Sequence, residues 1–397
     1  MSNRYLLLIA GLALVPIGAT EPNSYEEAAR ELDRTVAAKY AYRHDLPGGF
    51  LPTSLELERQ RNSVSDDDTL LRYAEARITS LADHHAITGS SFRDSWAVVP
   101  TYADMWVVEE NGRVIVEAVR ADSPASAAGI AAGDRIISVA GTPVNQAIEN
   151  FWSDMGLAVT PVRADYTARV LLAGRRDRLR RFTVESVPGE LRQVTLVSLY
   201  DVQSRAEETL EICSVGQSSI IRFNNSLGDK ATIRDFDEAL RHVPEGNELF
   251  LDLRDTPSGG NTTVARAIMG WFVREARPYQ IHDRPAEQRE TGIAHQWVEQ
   301  VLPRDGKYRP NLPTVLVGRW TGSMGEGLAI GFHALGAEIL GTQMAGLKGS
   351  IEDFTMPDTD LTVKLPTERL FTVDGLPREN FLPEPISENG EFFSDCR

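Results

Sequence analysis

Thr314-Val315-Leu316-Val317-Gly318-Arg319-Trp320-Thr321-Gly322-Ser323-Met324-Gly325-Glu326 is an apolar run, a turn and the opening of a helix. The run is short and β-branched, as a buried strand requires, and glycines close it on the C-terminal side. Beyond the turn, Met324, Leu328, Ala329, Phe332 and Leu335 recur at helical spacing, and Gly336 follows as a stop. Ala337-Glu338-Ile339-Leu340-Gly341 reads as a second short strand, and Lys348 follows in Ala345-Gly346-Leu347-Lys348-Gly349. A strand–turn–helix–strand unit of this length returns its last loop to the side of its first turn. Ser323 then opens a helix, with Lys348, twenty-five residues later, in reach of its hydroxyl. A serine is a poor nucleophile until a base takes its proton, and a desolvated lysine can be that base.

The same alternation extends backwards. Ser218 to Phe223 and Leu249 to Leu253 read as strands, and Ile233 to Val243 and Val264 to Val273 as amphipathic helices. From about residue 191 onward the chain is therefore an α/β domain. One strand leads into Arg254-Asp255-Thr256-Pro257-Ser258-Gly259-Gly260, a tight turn that exposes backbone N–H groups before a helix. Such groups can hold the oxyanion of a tetrahedral intermediate.

Between about 101 and 190 a different pattern holds. Val114 to Val119 is a strand, Ser123-Pro124-Ala125 opens a short helix, and Gly133-Asp134-Arg135-Ile136-Ile137-Ser138-Val139-Ala140-Gly141 is a turn, a strand and another turn. A helix over Gln146 to Met155 and a hairpin over Tyr166 to Val184 complete it. The pattern resembles a PDZ domain of the bacterial type, a fold that binds peptide C-termini by adding a strand to a sheet edge. Within it, Arg175 to Arg181 is a basic cluster, read as a solvated hairpin.

At the N-terminus one basic residue precedes the apolar stretch Tyr5 to Ala19, which matches a secretory signal over residues 1–20 and is short for a membrane span. Residues 21–100 read as a small helical unit, with helices over Tyr25 to Tyr42 and Asp66 to Leu81. His84 and His85 follow the second helix, but neighbouring residues face different ways and no third ligand is near, so they are not read as a metal site. The chain has 397 residues, 42% hydrophobic, with net charge −16. That charge excludes a nucleic-acid partner held by phosphate neutralisation. Cys213 and Cys396 are the only cysteines; they can pair in an oxidising compartment or stay as thiols, and they offer no metal spacing.

Taken in order, signal, helical unit, PDZ domain, Leu251-Asp252-Leu253-Arg254…Gly259-Gly260 strand, Ser323-x-x-Glu326 helix and Lys348-Gly349 loop resemble the carboxy-terminal processing (tail-specific) proteases. Thr372-Val373-Asp374-Gly375 is similar to the turn that follows in that family. The resemblance implies a crotonase/ClpP-like α/β core over 191–397 with an inserted PDZ domain at 101–190. It implies Ser323 as nucleophile, Lys348 as general base, Glu326 as a supporting residue, and an oxyanion hole from the Met324 N–H with Gly259 or Gly260. It implies no metal or organic cofactor, and it implies an exported endopeptidase that meets protein or peptide substrates through their C-termini, with homo-oligomerisation left open.

Three positions depart from the family's pattern. Met324 replaces alanine beside the nucleophile and is expected to reshape the adjoining pocket. Pro257-Ser258-Gly259-Gly260 is one residue longer than usual. Glu352 stands where glutamine is common, and a carboxylate beside Lys348 would favour the charged amine. These departures keep open a second reading, an inactive peptide- or ligand-binding protein on the same fold. Ser258 is a weak rival nucleophile because Asp255 is misplaced for it, and Thr321 in place of glycine argues against an α/β-hydrolase elbow.

Overall fold

The computed structural model describes residues 24–201 and 208–386. The apolar leader and Cys396 lie outside the described residues, so the signal and the Cys213–Cys396 pairing are not addressed by it.

The strands expected around the serine form one sheet. Ser218–Phe223, Glu248–Asp252, Thr314–Val317 and Ile339–Gly341 run parallel, and Leu210–Val215 adds an antiparallel edge. Their near-continuous apolar character follows from burial on both faces. Ile221, Leu249, Leu251, Val315 and Val317 face the helices, whereas Ile220 and Leu316 join Phe250, Leu340 and Ile386 on the other side. Helices Ala231–His242, Thr262–Met269 and Met324–Leu335 bury Phe236, Leu240, Val264, Ile268, Leu328 and Phe332 against the first face. The last of these helices also meets Arg277–Asp283, where a Cβ on Gly331 would lie 3.2 Å from the Tyr279 ring. The serine helix is therefore buried between two sheets. The second sheet is antiparallel, ordered Ile87–Thr88, Thr362–Phe371, Arg277–Asp283, Gln296–Val301, with Ser350–Thr355 also on Thr362–Phe371.

The N-terminal helices Ser24–Lys39, Leu55–Asn62 and Asp67–Thr79 do not close a core of their own. Leu32, Val36, Leu70, Tyr73 and Ile78 share one cluster with Met356, Leu361, Val363 and Leu365 near the other end of the chain. That shared core carries the turn after Asp67–Thr79 to the mouth of the parallel sheet.

The PDZ-like region is a sheet ordered Met105–Glu110, Arg113–Val119, Arg135–Val139, Arg180–Val187, Glu190–Leu196, with Thr142–Pro143 on the middle strand. Two expectations need correction here. The hairpin is Arg180–Leu196, not Tyr166–Val184, because residues Pro161–Ala173 are a helix that buries Ala164, Ala168, Leu171 and Leu172. The basic cluster is not simply solvated, since Arg180 is buried and bidentate to Asp104 at 2.6 and 2.8 Å. Two paired, desolvated charges need that geometry to offset their lost hydration.

Candidate active site

Ser323 sits at φ 52° and ψ −112°, a conformation an L-residue adopts at a cost of about 1–3 kcal/mol. Its surroundings hold it there. Thr321 donates its hydroxyl to Leu253 O at 2.8 Å and accepts Gly318 N–H at 2.9 Å, while Gly322 N–H bonds Thr256 O at 3.0 Å. These bonds tie the serine turn to the end of the neighbouring strand. Glu326, fully buried, accepts the N–H groups of Ser323 (2.8 Å), Gly346 (2.8 Å) and Leu347 (3.2 Å), joining that turn to the Lys348 loop. Burial lifts its carboxyl to about 7, against the nearby Arg378 cation and the three N–H bonds that favour the charged form.

The partner of Ser323 is a histidine. His85 Nε2 lies 3.1 Å from Ser323 Oγ, and His85 Nδ1 lies 2.7 Å from the carbonyl oxygen of Lys348. A carbonyl only accepts, so Nδ1 carries the proton and Nε2 offers its lone pair to the serine hydroxyl. Burial pushes His85 down to about 4, so the ring is neutral at pH 7. Behind it, buried Asp83 accepts His85 N–H at 2.9 Å and the Tyr40 hydroxyl at 2.8 Å, and desolvation raises the Asp83 carboxyl above its ordinary range. The adjacent His84 turns away, as expected for neighbours. It bonds Val98 O and stacks on Tyr166 at 4.3 Å. Sequence reading weighed His85 only as a metal ligand; the Asp-His-His turn closing a capped helix was the available signal for a base.

The Ser323–Lys348 pair is not what the geometry assembles. Lys348 Nζ bonds Asp45 Oδ2 at 2.6 Å and lies 5.0 Å from the centre of the Tyr42 ring. What Lys348 turns toward the site is its backbone carbonyl. Arg378, buried and absent from the sequence reading, fixes that loop by donating to Leu347 O at 2.7 Å and Gly349 O at 2.9 Å. Glu352 is not beside the lysine either; its carboxylate pairs with Arg284 at 2.7 Å.

The two candidate glycines separate cleanly. A Cβ on Gly259 would stand 2.4 Å from Ser323 Oγ and 3.4 Å from Met324 N, whereas one on Gly260 would strike Leu227 O at 1.8 Å. Gly259 thus faces the serine and Gly260 packs on backbone. Neither glycine N–H has an acceptor among the described residues, and Met324 N–H, in the first helical turn, has none either. Met324 does not project beside Ser323. It is buried in the sheet–helix core with its methyl over Gly327, where a Cβ would come within 2.4 Å. Ser258 bonds Gly259 O through its hydroxyl and has no base. Among the described residues no His, Cys, Asp and Glu cluster suits a metal ion, and no helix is long and apolar enough to cross a membrane.

Residues 215–381 match the profile of peptidase family S41, and residues 115–151 that of the PDZ domain. Comparison of the sequence with curated proteins finds no match. Among solved structures the chain is similar to mature CPAF (14% identity, 91% of this chain and 92% of that one, TM-score 0.56). It is similar to the photosystem II D1 C-terminal processing protease (15%, 92% and 94%, 0.54) and to a putative peptidase from Parabacteroides merdae (12%, 95% and 94%, 0.52). At such identities these likenesses speak for the fold, and the fold agrees with the profile match over the sheet that carries the serine. Profile, domain order and fold together make the chain similar to the PDZ-bearing peptidases of family S41.

Proposed function

We propose that this protein is an exported serine endopeptidase in which Ser323 is the nucleophile and His85, rather than Lys348, is the general base. The observation that carries this is the 3.1 Å contact from His85 Nε2 to Ser323 Oγ, with the ring's other nitrogen committed to a carbonyl. Ser323 Oγ attacks the scissile carbonyl carbon as its proton passes to His85 Nε2. The oxyanion takes the N–H of Met324 and of the Gly259 turn. Collapse expels the amine, which receives the proton from His85, and leaves an ester on Ser323. Water then attacks the ester with His85 again as base, and Ser323 Oγ leaves with the returned proton.

Lys348 serves this mechanism through its carbonyl, which keeps the proton on Nδ1 and steadies the imidazolium. Met324 tucked over Gly327 and Glu352 paired with Arg284 support this reading over an inactive binder. The PDZ-like domain recruits polypeptide to the site; it is joined directly to the serine turn by Arg319 on Glu117 at 2.8 Å and by the Trp320 indole on Ala103 O at 2.8 Å. Export follows from the leader sequence alone.

A fluorophosphonate, which labels an activated serine, tests the assignment. Labelling at Ser323 should vanish in His85→Ala and persist in Lys348→Ala. The opposite pattern would restore the Ser–Lys dyad, and no labelling with no cleavage of an unfolded protein would favour the binder.

A further inference from the structure

Strand Met105–Glu110 is the outer edge of the PDZ-like sheet. An edge strand presents backbone N–H and C=O groups that another chain can pair with, and PDZ folds use such an edge to take in peptides. Here two of those groups are already engaged, by side chains of the chain's own helix. Asp165 Oδ1 accepts Glu109 N–H at 3.2 Å, and Arg169 Nε donates to Val107 O at 3.2 Å. The two side chains are one turn apart on Pro161–Ala173 and pair with each other at 2.7 Å. One carboxylate acceptor and one guanidinium donor thus take two of the hydrogen bonds an added strand would make.

The edge opens on a cavity of about 690 Å³ that reaches the catalytic loop, with Trp106, Val108, Arg169, Gly346 and Lys348 among its walls. Arg169 and Arg319 both stack on Trp106, at 4.9 and 5.1 Å, and Arg319 leads into the serine turn. Of the charged wall residues, Arg319 is paired with Glu117, Arg169 with Asp165 and Lys348 with Asp45. Glu109, Glu110 and Glu379 have no cationic partner among the described residues. The cavity is therefore left with an excess of negative charge.

We propose that Asp165 and Arg169 are a built-in strand mimic occupying the docking edge Met105–Glu110, and that an extended, basic polypeptide segment docks there by displacing them. The proposal deepens the peptidase reading and rests on it for the identity of the docking segment as substrate. Docking by displacement makes the plug an inhibitory contact. It also links peptide binding, through Arg169, Trp106 and Arg319, to the turn that carries Ser323.

Binding is read in the full chain carrying Ser323→Ala, so a failure of the peptidase reading leaves this measurement standing. The probes are two short fluorescein-labelled unstructured peptides, one rich in lysine and one rich in glutamate. Asp165→Ala and Arg169→Ala should each tighten the lysine-rich peptide by about tenfold, the scale of one lost competing charge-assisted hydrogen bond. In the active enzyme the same variants should lower KM. Unchanged or weaker binding in the variants, or preference for the glutamate-rich peptide, overturns the proposal. Should Arg169→Ala fail to fold, hydrogen exchange at Glu109 decides. Its amide should be protected in the parent, exchange faster in Asp165→Ala, and regain protection with lysine-rich peptide; no faster exchange in the variant, or none regained, rejects the plug.

Discussion

The turn at Ser323 and the loop at Lys348 stand side by side and are built alike, each glycine-flanked and each following a strand of the parallel sheet. They do opposite things. The first forces a non-glycine residue to positive φ and so presents a side chain to the site. The second turns its side chain outward to Asp45 and presents a carbonyl. Glu326 and Arg378 explain why the second loop is nonetheless held so firmly: one gathers its N–H groups and the other its carbonyls. The contrast teaches that motif spacing can preserve a loop while what it presents changes from side chain to backbone, with a histidine from the far end of the chain standing beside the serine.

Substitutions can break this contrast. Ser323→Ala should lower kcat on an unfolded protein by on the order of 10⁶-fold, and His85→Ala by about 10²–10⁴-fold, with circular dichroism unchanged; retained turnover in purified His85→Ala would return the base to Lys348. Gly259→Ala places a methyl 2.4 Å from Ser323 Oγ, and should cost at least about 10²-fold in kcat, the scale of losing an oxyanion donor. A normal rate in that variant would mean the oxyanion lies elsewhere.

The pH profile sharpens the comparison. His85 must be neutral to accept a proton, and its pKa is depressed to about 4. The rate should therefore rise with pH first through about 4. A lysine base would place the rise several units higher. A further inflection near 7 belongs to Glu326, whose ionised form gathers the two loops; it should vanish in Glu326→Gln while the lower one stays.

Lys348→Met keeps the carbonyl, so kcat should fall by less than about tenfold and stability by at most about 1 kcal/mol, as for a partly exposed ion pair. A loss as deep as that of His85→Ala would contradict the geometry. Smallest of all, Glu352→Gln should leave both pH inflections in place, because its carboxylate is engaged by Arg284; a shifted lower limb would revive its coupling to the base.

Local pattern carried much of this molecule. The parallel strands, the helix behind Ser323 and the Gly259 turn are set by neighbours in sequence: β-branched runs, helical spacing, paired glycines. The helix Pro161–Ala173 is not legible because its polar Arg163, Asp165 and Arg169 interrupt the apolar stripe, the last two to reach the edge of a distant strand. Arg180 looked solvated because its counter-charge, Asp104, is seventy-six residues away.

By itself the sequence determined that a serine would open a buried helix at the end of a parallel strand, since period, length and glycine placement are local properties of the chain. Which group would take that serine's proton was decided only by tertiary structure. His85 and Ser323 are brought together by a hydrophobic core shared between the first helices and the late strands, and no spacing encodes a contact made across 238 residues.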